Sequence, residues 1–254
     1  MSRRAKVYIG ALLLGFLAGL SPAAGASNTE YTARTSTFDP ANFDDDKDGP
    51  NGVRVYLSSP RHTNSGFRGE LGWDENLNGR HWNLLAASSS YLVRERTTNP
   101  LRNLGSRGYE VSVSGNARDG DFLQNVQEAN NWGADVYVAT HTNAGGAQHF
   151  LTLVDDRATT ADRRLAQNMV DLLGNAVPGR PPVLATDNGP FTSGRGLAEL
   201  SSSFNQATYV TYNEVIFHDD QEQVDWFGQG DNPLQTTVGS WRYGWAIDST
   251  LGYP

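Results

Sequence analysis

Residues 134–146, "ADVYVATHTNAGG", are the stretch that decides the fold of this chain. Residues 134–140 are mostly β-branched, aromatic or small, which is the composition of a buried strand. This predicted strand ends at His141, and a loop containing Gly145 and Gly146 follows it. Because ligands of α/β proteins bind beyond the carboxyl ends of the strands, His141 is a candidate functional residue.

Strands and helices alternate along most of the remaining chain. Four more segments have the composition of strands: residues 53–59, 109–115, 149–155 and 207–217. Three segments have the apolar spacing of helices: one with Trp82, Leu85, Ala86, Leu92 and Val93 on one face, one at 121–133, and one with Leu165, Met169, Leu172, Leu173 and Ala176. The pattern predicts a single α/β domain with a mostly parallel or mixed, twisted sheet and helices on both faces.

The N-terminus has the pattern of a secretory signal peptide at residues 1–26. Three basic residues precede a short apolar run at 7–20, which is shorter than the ~20 residues that a membrane-spanning helix needs. We therefore expect an exported protein, secreted or located in the cell wall, with no membrane span after cleavage. A polar linker or arm is expected at 27–52, and the folded domain at 53–254.

The composition excludes several classes of site and partner. The chain has no cysteine, so it has neither disulfides nor zinc–thiolate sites. Its formal net charge is −8, and about −11 once the leader is removed. Such a charge does not attract nucleic acid or an anionic surface, so no nucleic-acid partner is expected.

Without cysteine, a hydrolytic zinc site must be built from histidines and carboxylates. Of the five histidines, His62 and His141 each follow a predicted strand and are the best placed as ligands. His149 opens a strand and is a candidate substrate contact. His81 is expected to be a surface or capping residue, and His218 to lie in a solvated turn.

An acidic segment precedes the first predicted strand of the domain. Asp44, Asp46 and Asp48 have the spacing of a calcium-binding loop, but its twelfth position is Val55 rather than an acid. A solvated acidic turn is therefore the favoured interpretation, and Ca²⁺ at these three residues is the alternative.

Four segments carry a resemblance to a known family. They are "VYLSSPRH" with His62, "DENLNGRHWNLLAA" with Glu75, "ATHTNAGG" with His141, and "NEVIFHDDQEQVDWF" with Glu214. In this order they resemble the zinc-dependent N-acetylmuramoyl-L-alanine amidases of the amidase-3 type, from about residue 53 to the C-terminus. That family cleaves the amide between the lactyl group of muramic acid and the first alanine of the peptide stem.

The resemblance implies a role for each matching residue. His62, Glu75 and His141 would bind Zn²⁺, with Glu70 as the rival of Glu75, and Glu214 would be catalytic. Peptidoglycan would be the substrate of a monomeric enzyme.

Other positions concern the substrate. Asn143 and His149 are the candidate substrate contacts beside the metal. The chain departs from the family pattern at Asn125, where the family often has arginine, and at Asp220, where it has asparagine.

Two alternatives use the same scaffold. One is a zinc peptidase or amidase with another exported substrate. The other is a glycan-binding or wall-associated protein that has lost catalysis. The distance of Glu214 from the predicted metal site discriminates between an enzyme and a binding protein.

Overall fold

The computed structural model describes residues 36–38, 51–59, 79, 82, 83, 86, 87, 104, 108–114, 122–229 and 233–252. For residues 36–38, 228, 229 and 233–241 it describes the backbone alone. The predicted signal peptide and several predicted site residues lie outside the described residues: His62, Glu70, Glu75, Asp44, Asp46 and Asp48. His81, expected to be a surface or capping residue, also lies outside them.

The described residues form an α/β domain. Its strands are β1 (Ser36–Phe38), β2 (Arg54–Ser58), β3 (Glu110–Val113), β4 (Val136–Asn143), β5 (His149–Val154), β6 (Arg180–Thr186) and β7 (Tyr209–Phe217). Its helices are α1 (Phe122–Trp132), α2 (Thr160–Leu172), α3 (Gln221–Val224) and α4 (Pro233–Leu251). Short 3₁₀ turns lie at Gly174–Ala176 and Pro190–Thr192, and a π-helical turn lies at Asp225–Gln229. Residues 79, 82, 83, 86 and 87 are also helical.

The strands form one mixed sheet in the order β1-β3-β2-β4-β7-β5-β6. The four strands β3, β2, β4 and β7 are parallel to one another. The pair β5 and β6 runs in the opposite direction, because β5 is antiparallel to β7 and parallel to β6. The short β1 is antiparallel to β3. The predicted mixed sheet is confirmed.

Both faces of the sheet are covered, as predicted. Successive side chains of a strand point to opposite faces, and β4 sends Val136 and Val138 into one apolar cluster and Tyr137 and Ala139 into another. The first face packs against α2, α4 and the helical residues 82, 86 and 87. The second face packs against α1 and the segment that precedes β7.

Helix α2 begins at a capping box. The Thr159 side chain accepts from the backbone N–H of Asp162, and the Asp162 carboxylate accepts from the backbone N–H of Thr159. The second oxygen of Asp162 accepts from the backbone N–H of Val210 at 2.8 Å. One residue therefore starts the helix and ties it to the beginning of β7.

Four of the described elements were not predicted: β1, β6, the short helix α3 and the long helix α4. Strand β6 contains Pro181 and Pro182, which argue against a strand in the sequence, but β6 lies at an edge where a missing N–H is tolerated. Strand β1 (Ser36–Phe38), within the predicted polar linker or arm at 27–52, pairs with β3. Helix α4 combines glycine, serine and threonine with apolar residues and lacks a clear helical period.

The connection from β4 to β5 crosses the carboxyl end of β7. These two strands lie on either side of β7, so residues 144–148 must span two strand spacings, about 9.6 Å. The backbone N–H groups of Gly145 and Gly146 both donate to Asp219 Oδ2, at 2.7 and 2.9 Å. Their φ angles are 109° and 68°, a region that favours glycine. Asp219, just after β7, therefore holds the crossing loop in place.

Substitution of Leu165 tests whether α2 stabilises the domain through the first face. Its side chain is fully buried, so Leu165→Ala should lower the free energy of unfolding by about 2–5 kcal/mol in urea denaturation. Leu123→Ala is the matched control in α1, because Leu123 is 46% exposed and should change stability by less than about 0.5 kcal/mol. Equal losses in both variants would contradict this packing.

Candidate functional site

Predicted site residues meet at one edge of the sheet. Strands β2, β4 and β7 are parallel and end at this edge, and the antiparallel β5 begins there. His141 in β4 lies directly opposite Glu214 in β7 in the strand register. His149 is the first residue of β5 at the same edge. The sheet topology thus brings together residues from three separate segments of the chain.

His141 and Glu214 are linked by Tyr212. His141 is 1% exposed and Glu214 is 9% exposed. The Tyr212 ring stacks on the His141 imidazole, with centroids 4.1 Å apart and planes 19° apart. The Tyr212 hydroxyl donates to Glu214 Oε1 at 3.1 Å. One tyrosine therefore limits the movement of both candidate residues.

Glu199 contacts His141 from the segment before β7. Its Oε2 lies 3.0 Å from His141 Nε2, and its Oε1 accepts from the Tyr137 hydroxyl at 2.8 Å and from the Ser58 hydroxyl at 3.3 Å. Glu199 is only 3% exposed. A buried carboxylate needs such donors, because removal from water is costly for a charge without hydrogen bonds.

The Tyr137 hydroxyl stays a donor to Glu199. Burial, and then the nearby charge of Glu199, raise the pKa of Tyr137 well above its ordinary value. The phenol is therefore protonated at neutral pH.

The helix α1 also reaches this network. Asn125 Nδ2 donates to Ser58 Oγ at 2.9 Å, which leaves the Ser58 proton to donate to Glu199. Asn125 is fully buried. It therefore belongs to the polar network around His141.

Hydrogen bonds also fix β4 from the first face. The Thr140 hydroxyl donates to Asn83 Oδ1 at 2.8 Å, so the Tyr243 hydroxyl, 2.9 Å away, donates to Thr140. Burial raises the pKa of Tyr243. These contacts hold the strand next to His141 between α4 and the helical residues that include Asn83.

The carboxyl end of β4 differs from the prediction. The strand continues past His141 to Asn143, with a register shift between them. Asn143 Oδ1 accepts from the N–H of Ala144 at 2.8 Å, so this side chain starts the crossing loop. Its predicted contact with substrate stays a prediction.

His218 is not in a solvated turn, and that prediction was wrong. It is 2% exposed, and its Nδ1 lies 3.0 Å from Thr142 Oγ1. Its backbone N–H donates to the carbonyl of Asn143 at 2.8 Å. The pairing of β4 and β7 therefore continues one residue beyond β7 and buries the imidazole.

His149 is half-buried between aromatic rings. Its imidazole makes edge contacts with Phe191 and Phe217, at centroid distances of 5.9 and 5.2 Å. Its Nδ1 lies 3.2 Å from the carbonyl of Ala147, which indicates that Nδ1 carries the proton. His149 thus lies against an apolar wall at the edge where His141 and Glu214 lie.

The described residues fit one part of a zinc site. Among them, no three His, Cys, Asp or Glu side chains form a cluster that could hold a metal ion, and His62 and Glu75 lie outside them. His141 nevertheless has the surroundings of a metal ligand, because metal-binding histidines usually donate their second ring N–H to a carboxylate. Glu199 is that carboxylate.

The sequence contained a signal for Glu199. From residue 196 to residue 217, Glu199 and Glu214 are the only charged side chains. An isolated acid in an otherwise uncharged segment is a candidate for a buried, paired carboxylate. Glu214 is one of the predicted site residues, whereas Glu199 was not predicted.

No family model matches the sequence, and no curated protein matches it. Similar solved structures are N-acetylmuramoyl-L-alanine amidases. The amidase from Clostridium difficile 630 has a TM-score of 0.58 at 17% identity, covering 80% of this chain and 98% of that chain. The catalytic domain of CwlV, an amidase from Bacillus (Paenibacillus) polymyxa var. colistinus, has a TM-score of 0.55 at 17% identity, covering 80% and 99%.

A third similar structure is Ami1, the N-acetylmuramyl-L-alanine amidase from Mycobacterium smegmatis. Its TM-score is 0.54 at 15% identity, and the match covers 81% of this chain and all of that one (100%). The chain thus shares the fold of amidase catalytic domains. None of its described helices is both long and apolar enough to span a membrane.

His149 makes the stability of the domain depend on pH. Burial lowers the pKa of His149 below its ordinary value, the charge of Arg180 lowers it further, and the bond to Ala147 opposes them. Below about pH 6.5 the unfolded chain therefore binds a proton at this residue more readily than the folded chain does. Between pH 7.5 and pH 5, His149→Gln should lose less stability than the wild type in urea denaturation. An equal or greater loss in the variant would contradict the lowered pKa.

Proposed function

We propose that this chain is an exported, zinc-dependent hydrolase that cleaves the amide between the lactyl group of N-acetylmuramic acid and L-alanine in peptidoglycan. The observation that supports it best is the position of His141 directly opposite Glu214, in a fold shared with amidase catalytic domains. A glycan-binding protein that has lost catalysis would not need a carboxylate at this position.

Three residues would hold the metal ion: His62, Glu75 and His141, with Glu70 as the rival of Glu75. Two imidazoles and one carboxylate form a donor set that zinc hydrolases use. When bound, the zinc ion supplies a Lewis acid for the scissile carbonyl and a water whose pKa is lowered towards ~7.

Glu214 would carry the proton. Its carboxylate accepts a proton from the attacking water and returns it to the alanine nitrogen, which leaves once the carbon–nitrogen bond breaks. An amide nitrogen is a poor leaving group unless it is protonated, so a proton carrier is needed beside the metal. Tyr212 orients one Glu214 oxygen, and burial beside β4 excludes bulk water from it.

The edge of the sheet suits a bulky polymer. A Cβ atom added at Gly145 or at Gly146 would meet nothing within 4 Å. The loop over β7 therefore faces open space at these two glycines. Asn143 and His149 flank this loop and would contact the sugar or the stem peptide. The exposed ring of Phe191, which makes an edge contact with His149, can pack against a sugar ring.

Export would follow from the predicted signal peptide at residues 1–26. Peptidoglycan lies outside the membrane, so the proposed substrate and the predicted location agree. The predicted domain at 53–254 would carry the complete activity as a monomer.

Glu214→Gln tests the proposed role. The variant should bind zinc as the wild type does and lose turnover by about 10²- to 10⁴-fold, the usual contribution of a general base. Turnover is measured as the new alanine amino termini that form in purified cell wall, with and without a chelator. Glu222→Gln, at an exposed residue of α3, is the matched control and should retain full activity.

Three results would contradict the proposal. If Glu214→Gln had the turnover of the wild type, Glu214 would have no role in the reaction. Binding to walls without formation of alanine amino termini would favour the glycan-binding alternative. If a chelator left their formation unchanged, zinc would be excluded as the cofactor.

A further inference from the structure

Glu199 is a buried carboxylate to which the proposed reaction assigns no step. It lies in the segment of the chain that joins β6 to β7, and it is 3% exposed. Both of its oxygens have partners: His141 Nε2 on one, and the hydroxyls of Tyr137 and Ser58 on the other. The side chain is therefore aimed at His141 by contacts with Tyr137 in the same strand, β4, and with Ser58 in β2.

The backbone of Glu199 is held as firmly as its side chain. Asn205 Nδ2 donates to the Glu199 carbonyl at 2.8 Å, and the Asn205 carboxamide oxygen accepts from the N–H of Ala207 at 3.1 Å. Two residues before Glu199, the N–H of Leu197 donates to Asp187 Oδ2 at 2.7 Å. The segment is also tied to α1, because Asn130 donates to the carbonyl of Phe204 at 2.6 Å and accepts from the N–H of Gln206 at 2.9 Å.

Packing alone does not account for this residue. Tyr56, Tyr137 and Leu200 make the second face apolar at this point, where a charge is costly to bury unless it is paired with hydrogen-bond donors. A neutral acceptor could also serve the hydroxyls of Tyr137 and Ser58. A carboxylate can only accept, so its contact with His141 requires a proton on Nε2. In that tautomer the lone pair of the ring is on Nδ1, which is then the nitrogen that can bind a metal ion.

We propose that Glu199 is a positioning residue that fixes the tautomer and orientation of His141 for metal binding. It acts through His141 and does not touch the substrate. The inference rests on the proposed function in one respect, the identity of His141 as a zinc ligand. The selection of the tautomer is independent of zinc.

Glu199→Gln keeps the shape of the side chain and removes its charge. With zinc alone as the probe, in competition with a chelating dye, the variant of the full chain should bind zinc about 10- to 100-fold more weakly than the wild type. Glu128→Gln is the matched control, because Glu128 accepts from the Tyr56 hydroxyl at 2.8 Å, and should leave zinc affinity unchanged. Equal zinc affinity in Glu199→Gln and the wild type would overturn the proposal.

The tautomer of His141 provides a second measurement that needs no metal and no variant. In ¹⁵N NMR of the metal-free wild type, the His141 ring should carry its proton on Nε2, and in Glu199→Gln it should become a mixture of tautomers. A proton on Nδ1 in the wild type would overturn the proposal, even if the variant fails to fold. If the wild type binds no zinc, the proposed function fails, and the tautomer measurement still decides the role of Glu199.

Discussion

The parallel pairing of β4 with β7 is the interaction on which the site depends. It places His141 directly opposite Glu214, and the two residues lie 73 positions apart in the sequence. The side-chain period of a strand is two, so a slip of one residue would move either side chain to the other face of the sheet. The apolar residues of both strands prevent that slip, because Val138 and Val215 are buried on the first face and Ala139 and Tyr212 on the second.

Polar groups are buried on both faces of this strand pair, and the two networks differ in their charge. On the first face, Thr140, Asn83 and Tyr243 form a neutral network that connects β4 to the helices. On the second face, Glu199 and Glu214 bring negative charge to His141 and Tyr212. Buried polar networks are stabilising only when their members are satisfied. The second network contains the carboxylates of Glu199 and Glu214 beside His141, and these are the groups that we connect with chemistry.

Much of the fold could be predicted because periodicity and composition are local signals. All five predicted strands exist, and the helix predicted at 121–133 is α1. Strand β6 was missed because its two prolines are acceptable only at a sheet edge, and the sequence does not reveal which strand lies there.

His141 and Glu214 were identified by motif and position, and the structure shows them side by side. Glu199 was missed because its partners come from Ser58, Tyr137 and His141, and only tertiary structure brings such distant residues together. His218 was wrongly expected in solvent, since the extension of the β4–β7 pair was not visible in the sequence.

The proposed function requires His141 to bind a metal ion beside a catalytic carboxylate. X-ray absorption spectroscopy of the zinc-loaded chain, compared with His141→Ala, is the sharpest test of this requirement. We expect two imidazole nitrogens at about 2.0–2.1 Å from zinc and a carboxylate oxygen at about 2.0–2.2 Å, with one imidazole lost in the variant. A zinc ion with the same number of imidazole ligands in both proteins would contradict the proposed function.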